Sequence, residues 1–223
     1  LDLDTVSRKG SLESVLKRFG KGRTDILIGT QLIAKGLDFP GVGLVGIMNS
    51  DVGLNLPDFR SSERSFQLMT QAAGRAGRGE EQGRVIIQTC QPDHPALISA
   101  VRHDYPGFYK RELAIRRALV YPPFSDIFQI VVSDEDEAKA EDFASKCADW
   151  LRPRVPEGAA VLGPTLSPLN RIAGRFRYQL LIKSPAGNRV ETGNLVLELR
   201  MLFSRSKKSA ELFTVDIDPY SFM

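Results

Sequence analysis

The sequence predicts an α/β chain in two parts: a parallel sheet layered with helices, followed by an α+β unit of ferredoxin-like order, βαββαβ. Three observations carry that expectation. Up to residue 92, short apolar runs bounded by glycine alternate with helix-periodic segments, the pattern of strands joined by helical crossovers. Tyr121-Pro122-Pro123-Phe124 is a hard stop, because two prolines remove two amide donors and bias the residues before them away from helix. Beyond it the periodicities run strand, helix, strand, strand, helix, strand. The division expected is residues 1–92, a helical connector at 93–122, and a terminal domain at 123–223.

Taken in order, Ser11 can cap a helix whose apolar positions Leu12, Val15, Leu16 and Phe19 recur at helical spacing, and Gly20 and Gly22 end it. Residues 25–28 form an apolar run between Gly22 and Gly29, the pattern of a buried strand. Residues 31–35 can make one helical turn. Residues 42–48 read as a parallel strand covered on both faces. Residues 49–60 read as a loop, and Ser61 or Ser62 then caps a helix to about Ala76. A third strand is expected at 84–89. Two helices follow at 94–104 and 108–119, divided by Tyr105-Pro106-Gly107. After the stop come a strand at 127–132, a helix at 135–151, strands at 159–162 and 176–183, a helix at 189–203 and a strand at 212–216. Phe143, Cys147 and Trp150 share one face of the 135–151 helix and read as core, and Cys90 as a small packed hydrophobe.

Composition narrows the chemistry. The 223 residues are 42% hydrophobic and 26% charged, enough apolar material for a core and against wholesale disorder. The formal charge is +3, so nucleic-acid binding would have to come from local patches. Two cysteines and two histidines argue against a disulfide framework and a conventional zinc site. No apolar run approaches the length of a membrane span, and a reducing cytoplasm is the expected setting. The chain starts at Leu1 rather than Met, and the expectation is a piece of a longer polypeptide.

Two segments carry chemistry. In Gln71-Ala72-Ala73-Gly74-Arg75-Ala76-Gly77-Arg78-Gly79, the two arginines stand three apart and project from nearly one helical face. Gly74 and Gly77 let another surface approach closely. Guanidiniums bind phosphate oxygens bidentately and stay charged at every relevant pH. At a phosphoryl-transfer site such an arginine is worth about 10³–10⁵ in rate. The same residues also suit a helix end where cations offset the macrodipole and Gly79 stops the helix. In Gly29-Thr30-Gln31-Leu32-Ile33-Ala34-Lys35-Gly36-Leu37-Asp38-Phe39, Thr30 and Gln31 offer donors to a nucleic-acid backbone at a strand end. Gly36 leaves room for a ligand and Asp38 can accept from a ribose. A capped single-turn helix in an ordinary loop fits the segment equally well.

A local charge asymmetry is the third feature. Between Arg152 and Arg189 seven cations face one acid, Glu157, whereas residues 133–142 hold six acids and one lysine. The acidic run opens a helix, where the dipole favours it, and reads as a solvated face. Arg171, Arg175, Arg177 and Tyr178 mix guanidiniums with aromatic rings around a strand start. That combination suits backbone contact and base stacking on branched or single-stranded DNA. It also suits a basic strand edge that discourages edge-to-edge pairing.

Together the two glycine-containing segments resemble motifs V and VI of superfamily 2 helicases. The longer stretch DILIGTQLIAKGLDFPGVGLVGIMNSDVGLNLPDFRSSERSFQLMTQAAGRAGRG is similar to the primosomal protein N′ family of replication-restart helicases. The later stretches RRALVYPPF, VLGPTLSPLNRIAGRFRYQLLIK and VDIDPYSFM resemble the terminal domain of the same family. The resemblance implies that residues 1–92 belong to the second RecA-like lobe of an ATP-dependent 3′-to-5′ DNA helicase that restarts stalled replication forks. It implies Arg78 as arginine finger, Arg75 as its partner on the ATP phosphates, and Gln71 as the link from nucleotide to helicase cleft. Gly36 and Asp38 would lie near the nucleotide, with Thr30, Gln31 and Lys35 near DNA. Lys35 stands where many superfamily 2 relatives carry arginine.

No Gly-x-x-x-x-Gly-Lys-[Ser/Thr] loop and no Asp-Glu-x-His segment occurs in the 223 residues. ATP and magnesium would therefore be bound mainly by a first lobe outside this sequence, and the chain alone is expected to hydrolyse no ATP. The zinc of the family would be held upstream as well. The implied partners are branched and single-stranded DNA, single-stranded DNA-binding protein and primosome proteins, in a nucleoid-associated, cytoplasmic setting in bacteria. A different branch-migrating superfamily 2 helicase and a non-enzymatic nucleic-acid-binding module are the alternatives.

Overall fold

The structure, a computed structural model, describes residues 11–30, 41–74, 83–203 and 213–222. The chain divides into two compact units, Leu1–Leu56 with Arg60–Lys110, and Pro57–Phe59 with Arg111–Met223. Among the described residues no helix is long and apolar enough to cross a membrane.

The first unit opens with α1 (Ser11–Gly20). It ends as its glycines dictate. Gly22 sits at φ +65° and donates to Phe19 O at 3.0 Å, and Arg23 N–H donates to Arg18 O at 2.9 Å, the paired bonds of a Schellman stop. Then come β1 (Leu44–Ile47), α2 (Asp51–Leu54), α3 (Ser61–Ala73), β2 (Arg84–Ile87) and α4 (Pro95–Val101). β1 and β2 pair in parallel, Leu44 with Arg84 through Ile47 with Ile87. His94 caps α4, its Nδ1 accepting from Ala96 N–H at 3.2 Å, and Pro95 fills the first turn, where no amide donor is needed. The core gathers Leu54, Phe66, Met69, Ala96, Leu97, Ala100 and Phe108, with Ile47 and Ile87 packed against it.

The expectations differ from this unit in five places, and the expected turn at 31–35 lies outside the described residues. Residues 51–54 of the expected loop at 49–60 form α2. Residues 25–28 form no strand: Ile26 and Ile28 are 77% and 75% exposed, so this apolar run is not the buried one its composition suggests. β1 is not covered on both faces, since Leu44 is exposed while Ile47 reaches the core. Cys90 is exposed rather than packed. Tyr105-Pro106-Gly107 does not divide two helices but opens α5 (Tyr105–Ala118). His103, at φ +52°, makes the break, and Asp104 Oδ1 accepts from Gly107 N–H at 2.9 Å. α5 closes on Val120 at φ +53°, with Tyr121 N–H donating to Arg116 O and Val120 N–H to Arg117 O. A β-branched residue in the left-handed region is strained.

The second unit contains β3 (Ser125–Asp134), α6 (Glu137–Leu151), β4 (Ala160–Ile172), β5 (Arg175–Pro185), α7 (Arg189–Phe203) and β6 (Phe213–Ile217). The sheet runs β4-β5-β3-β6 and every neighbouring pair is antiparallel. Alternation decides its faces. Phe128, Ile130 and Val132 of β3 and Tyr178, Leu180 and Ile182 of β5 meet Ala144, Cys147, Leu151, Val196 and Leu199 from the helices. Asp136 caps α6, its carboxylate accepting from Ala138 N–H and Lys139 N–H. On the opposite face the buried Gln129 donates to Gln179 Oε1 at 2.8 Å and to Phe222 O at 3.3 Å. Asp218 clips the end of β6 to β3: it exchanges bonds with Ile127 N–H and O, and Arg189 binds both Asp218 and Asp126. Phe143 and Trp150 pack against this core as expected, and burial pushes the Cys147 thiol up to about 12. β4 extends to residue 172, ten residues past its expected end, but irregularly. Its register with β5 slips between Leu162 and Thr165 and again between Leu166 and Arg171.

Candidate nucleic-acid interface

In a parallel sheet the carboxyl ends of the strands are where ligands usually lie. Here that end is closed by a polar clasp from the chain itself. Asp51, just beyond β1, accepts from Thr89 Oγ1 at 2.5 Å and from Cys90 N–H at 2.7 Å, just beyond β2. Ser50 donates twice to Gln88 O, and Asn49 N–H to Gln88 Oε1. Gln91 reaches Asn55 Oδ1 at 3.2 Å. The bonds from Thr89 and Cys90 hold the Asp51 carboxyl below the usual carboxylate range. The clasp ties the end of β1, where α2 begins, to the end of β2. Sequence reasoning missed it because its partners stand 36 to 39 residues apart.

Of the first-unit site residues, two are described. Thr30 is exposed in the coil after Ile28, and Gln71 is exposed on the last turn of α3, opposite the buried Met69 and Ala72. Gln31, Lys35, Gly36, Asp38, Arg75 and Arg78 lie outside the described residues. Among the described residues no group of three His, Cys, Asp or Glu could hold a metal ion.

The basic stretch of the second unit resolves into two sets. Four of its seven cations are engaged internally. Arg152 binds Asp149 and Gly163 O. Arg154 lies 4.7 Å from the Trp150 ring and donates to Trp150 O. Lys183 donates to Leu119 O at 2.8 Å over the Tyr121 ring, where burial lowers its pKa. Arg189 holds the aspartate clip.

The other three stand on the β4–β5 hairpin. The ladder closes on Ile172 and Arg175, and the two-residue turn places Ala173 at φ +50° and Gly174 at φ +82°. Two consecutive left-handed residues make the tight turn whose twist matches antiparallel strands. Arg171 is exposed, lies 4.8 Å from the Phe176 ring and donates to Gly174 O. Arg175 lies 3.6 Å from Glu135, and Arg177 donates to Leu169 O at 3.2 Å. Arg175 and Arg177, two residues apart, share the face of β5 turned away from the helices.

Tyr178 corrects the expectation. It alternates to the helix side of β5, is 7% exposed and belongs to the core, so its ring has no face for a base. Burial raises its pKa, with Glu141 and Glu137 adding to the shift. The aromatic partner of this hairpin is Phe176, already beneath Arg171.

Comparison with known proteins agrees at both ends of the chain. Residues 117–220 match the primosomal protein N C-terminal domain, and residues 4–80 match the helicase conserved C-terminal domain. The replication restart protein PriA of Bacillus subtilis is 45% identical over 227 residues, covering 100% of this chain and 28% of the relative. That of Treponema pallidum is 45% identical over 83% of this chain and 28% of its own length, and that of Synechocystis 40% identical over 99% and 26%. The chain thus spans little more than a quarter of the curated relatives it matches. By these matches the chain belongs with the primosomal protein N proteins over residues 117–220 and with helicase C-terminal domains over residues 4–80.

Proposed function

We propose that this chain is the carboxyl-terminal part of an ATP-dependent 3′-to-5′ DNA helicase that recognises stalled replication forks and restarts replication by primosome assembly. The observation that carries the reading is the joint match of residues 4–80 to a helicase domain and of 117–220 to the primosomal domain. In this reading residues 1–92 belong to the second RecA-like lobe, 93–122 connect, and 123–223 form the DNA-binding domain. The strand order β4-β5-β3-β6, with helices after β3 and β5, supports a ferredoxin-like class for that domain.

Roles follow from chemistry. Arg78 stabilises charge developing on the transferred phosphoryl group of ATP, and Arg75 binds the phosphates beside it. Gln71, exposed at the end of α3, links that site to the cleft. Gly36 and Asp38 face the nucleotide; Thr30, Gln31 and Lys35 face DNA. ATP and magnesium are held mainly by a first lobe. Zinc is held elsewhere in the longer protein, and single-stranded DNA-binding protein and primosome proteins are the partners, in a bacterial cytoplasm. Arg171, Arg175 and Arg177 contact DNA phosphates.

Two measurements test this. The 223-residue chain alone should show no DNA-stimulated ATP turnover. In a longer protein carrying the first lobe, Arg78→Ala should cut turnover by about 10³-fold or more while nucleotide binding persists. Turnover by the isolated chain, or a full rate from the variant, overturns the assignment.

A further inference from the structure

The first unit carries an aromatic array that the roles above do not use. Phe108 and Phe66 stack inside the core with centroids 4.3 Å apart and planes inclined by 2°. Phe66 then meets Tyr105 at 6.2 Å, and Tyr105 meets Tyr109 at 6.2 Å with planes inclined by 29°. The inner pair is buried, whereas Tyr105 and Tyr109 are 61% and 50% exposed. Val101, Arg102 and Lys110 are exposed too, Arg102 three residues before Tyr105 and Lys110 next after Tyr109 in sequence. The carboxylate of Asp104, between Arg102 and Tyr105 in sequence, is turned to the Gly107 amide.

We infer that Tyr105 and Tyr109 form a stacking platform for the bases of single-stranded nucleic acid, with Arg102 and Lys110 meeting the flanking phosphates. Every base has a π-face, so such a platform tolerates sequence and needs only accessible rings and nearby cations. Phe66 supports Tyr105, and Tyr105 in turn meets Tyr109, so little rotamer freedom is lost on binding. Exposed Arg102 and Lys110, flanking the two rings in sequence, favour a polyanion over an apolar helix of a partner protein. This inference rests on the reading of the chain as a DNA-handling protein.

The test uses the 223-residue chain with fluorescein-labelled oligo(dT) and an abasic strand of equal length. Tyr105→Ala and Tyr109→Ala should each weaken oligo(dT) binding by roughly tenfold. The double Phe variant, Tyr105→Phe with Tyr109→Phe, should bind as the parent does, because the ring and not the hydroxyl stacks. The abasic strand should be bound equally by all. If the double alanine variant binds oligo(dT) unchanged while Arg175→Glu with Arg177→Glu abolishes binding, the platform falls and the DNA reading stands. If the parent binds neither strand, both fall. Equal loss on both strands overturns base stacking. A double alanine variant that loses a protein partner but keeps oligo(dT) makes the patch a protein-docking surface and also overturns it.

Discussion

The hairpin arginines allow a quantitative test of the DNA interface. Arg175→Ala with Arg177→Ala removes the two phosphate contacts proposed for β5 and leaves Arg171 on Phe176. Each contact contributes about 0.9 to the slope of log affinity against log salt on duplex DNA and about 0.7 on single strands. The double variant should therefore flatten the slope by about 1.8 on duplex and about 1.4 on single-stranded DNA. Over a fourfold rise in salt the lost part amounts to about twelvefold in duplex affinity. Glu135 refines the expectation. Its ion pair with Arg175 is 3.6 Å long, with side chains 81% and 35% exposed, so water screens it heavily. Such a pair is worth at most about 1 kcal/mol, and Glu135→Gln should tighten binding by no more than about fivefold. That gain should vanish in the Arg175→Ala background, as a double-mutant cycle requires of a direct interaction. Fluorescence anisotropy on forked, duplex and single-stranded oligonucleotides at four or more salt concentrations (the number set by the fit) reads all of this. Coincident slopes for parent and double variant would refute the interface, and a Glu135→Gln gain that survives without Arg175 would refute the competition.

Further outcomes follow from the packing. Gln179→Leu strips the buried Gln129 of one of its two acceptors and should cost about 1–3 kcal/mol in urea unfolding, with the Gln129→Leu/Gln179→Leu pair costing less than the sum of the single changes. Val120→Gly relieves a left-handed β-branched residue and should raise stability by about 0.5–1 kcal/mol in the same assay. The Asp51 carboxyl titrates lower folded than unfolded, so its stabilisation is complete above the ordinary carboxylate value and is lost as pH falls through the folded one. Asp51→Asn should accordingly flatten the acid limb of the stability profile while lowering stability at pH 7. Maleimide at pH 8 should label the exposed Cys90 and leave Cys147 untouched under native conditions, as read by peptide mass spectrometry.

What could be read from sequence was local. The ends of α1, α6 and α7 are written in Gly22, in Leu151 before Pro153, and in the helical periodicity up to Phe203, all within a turn of the events they control. What needed partners was hidden. Ile26 and Ile28 carry the composition of a strand, but a strand is a relation between segments, and nothing local says whether a neighbour is there. The Asp51 clasp is invisible for the same reason. Tyr178 is different: its signal was present. With Leu180 and Ile182 on its own parity and Arg175 and Arg177 on the other, period-two counting places its ring in the core. The roles of Arg152 and Arg154 were also within reach, since Asp149 and Trp150 stand three and four residues before them. Composition counted those arginines as a patch, and geometry withdrew them from it.

The slipped register of β4 has a consequence for assembly. Four residues, Ser167 to Asn170, stand opposite Arg177 alone, and Pro164 and Pro168 offer no amide along that margin. A neighbouring molecule seeking to extend the sheet there would find an interrupted row of donors on a bent rail. Association through this side must therefore proceed by side-chain recognition rather than by a continuous intermolecular sheet.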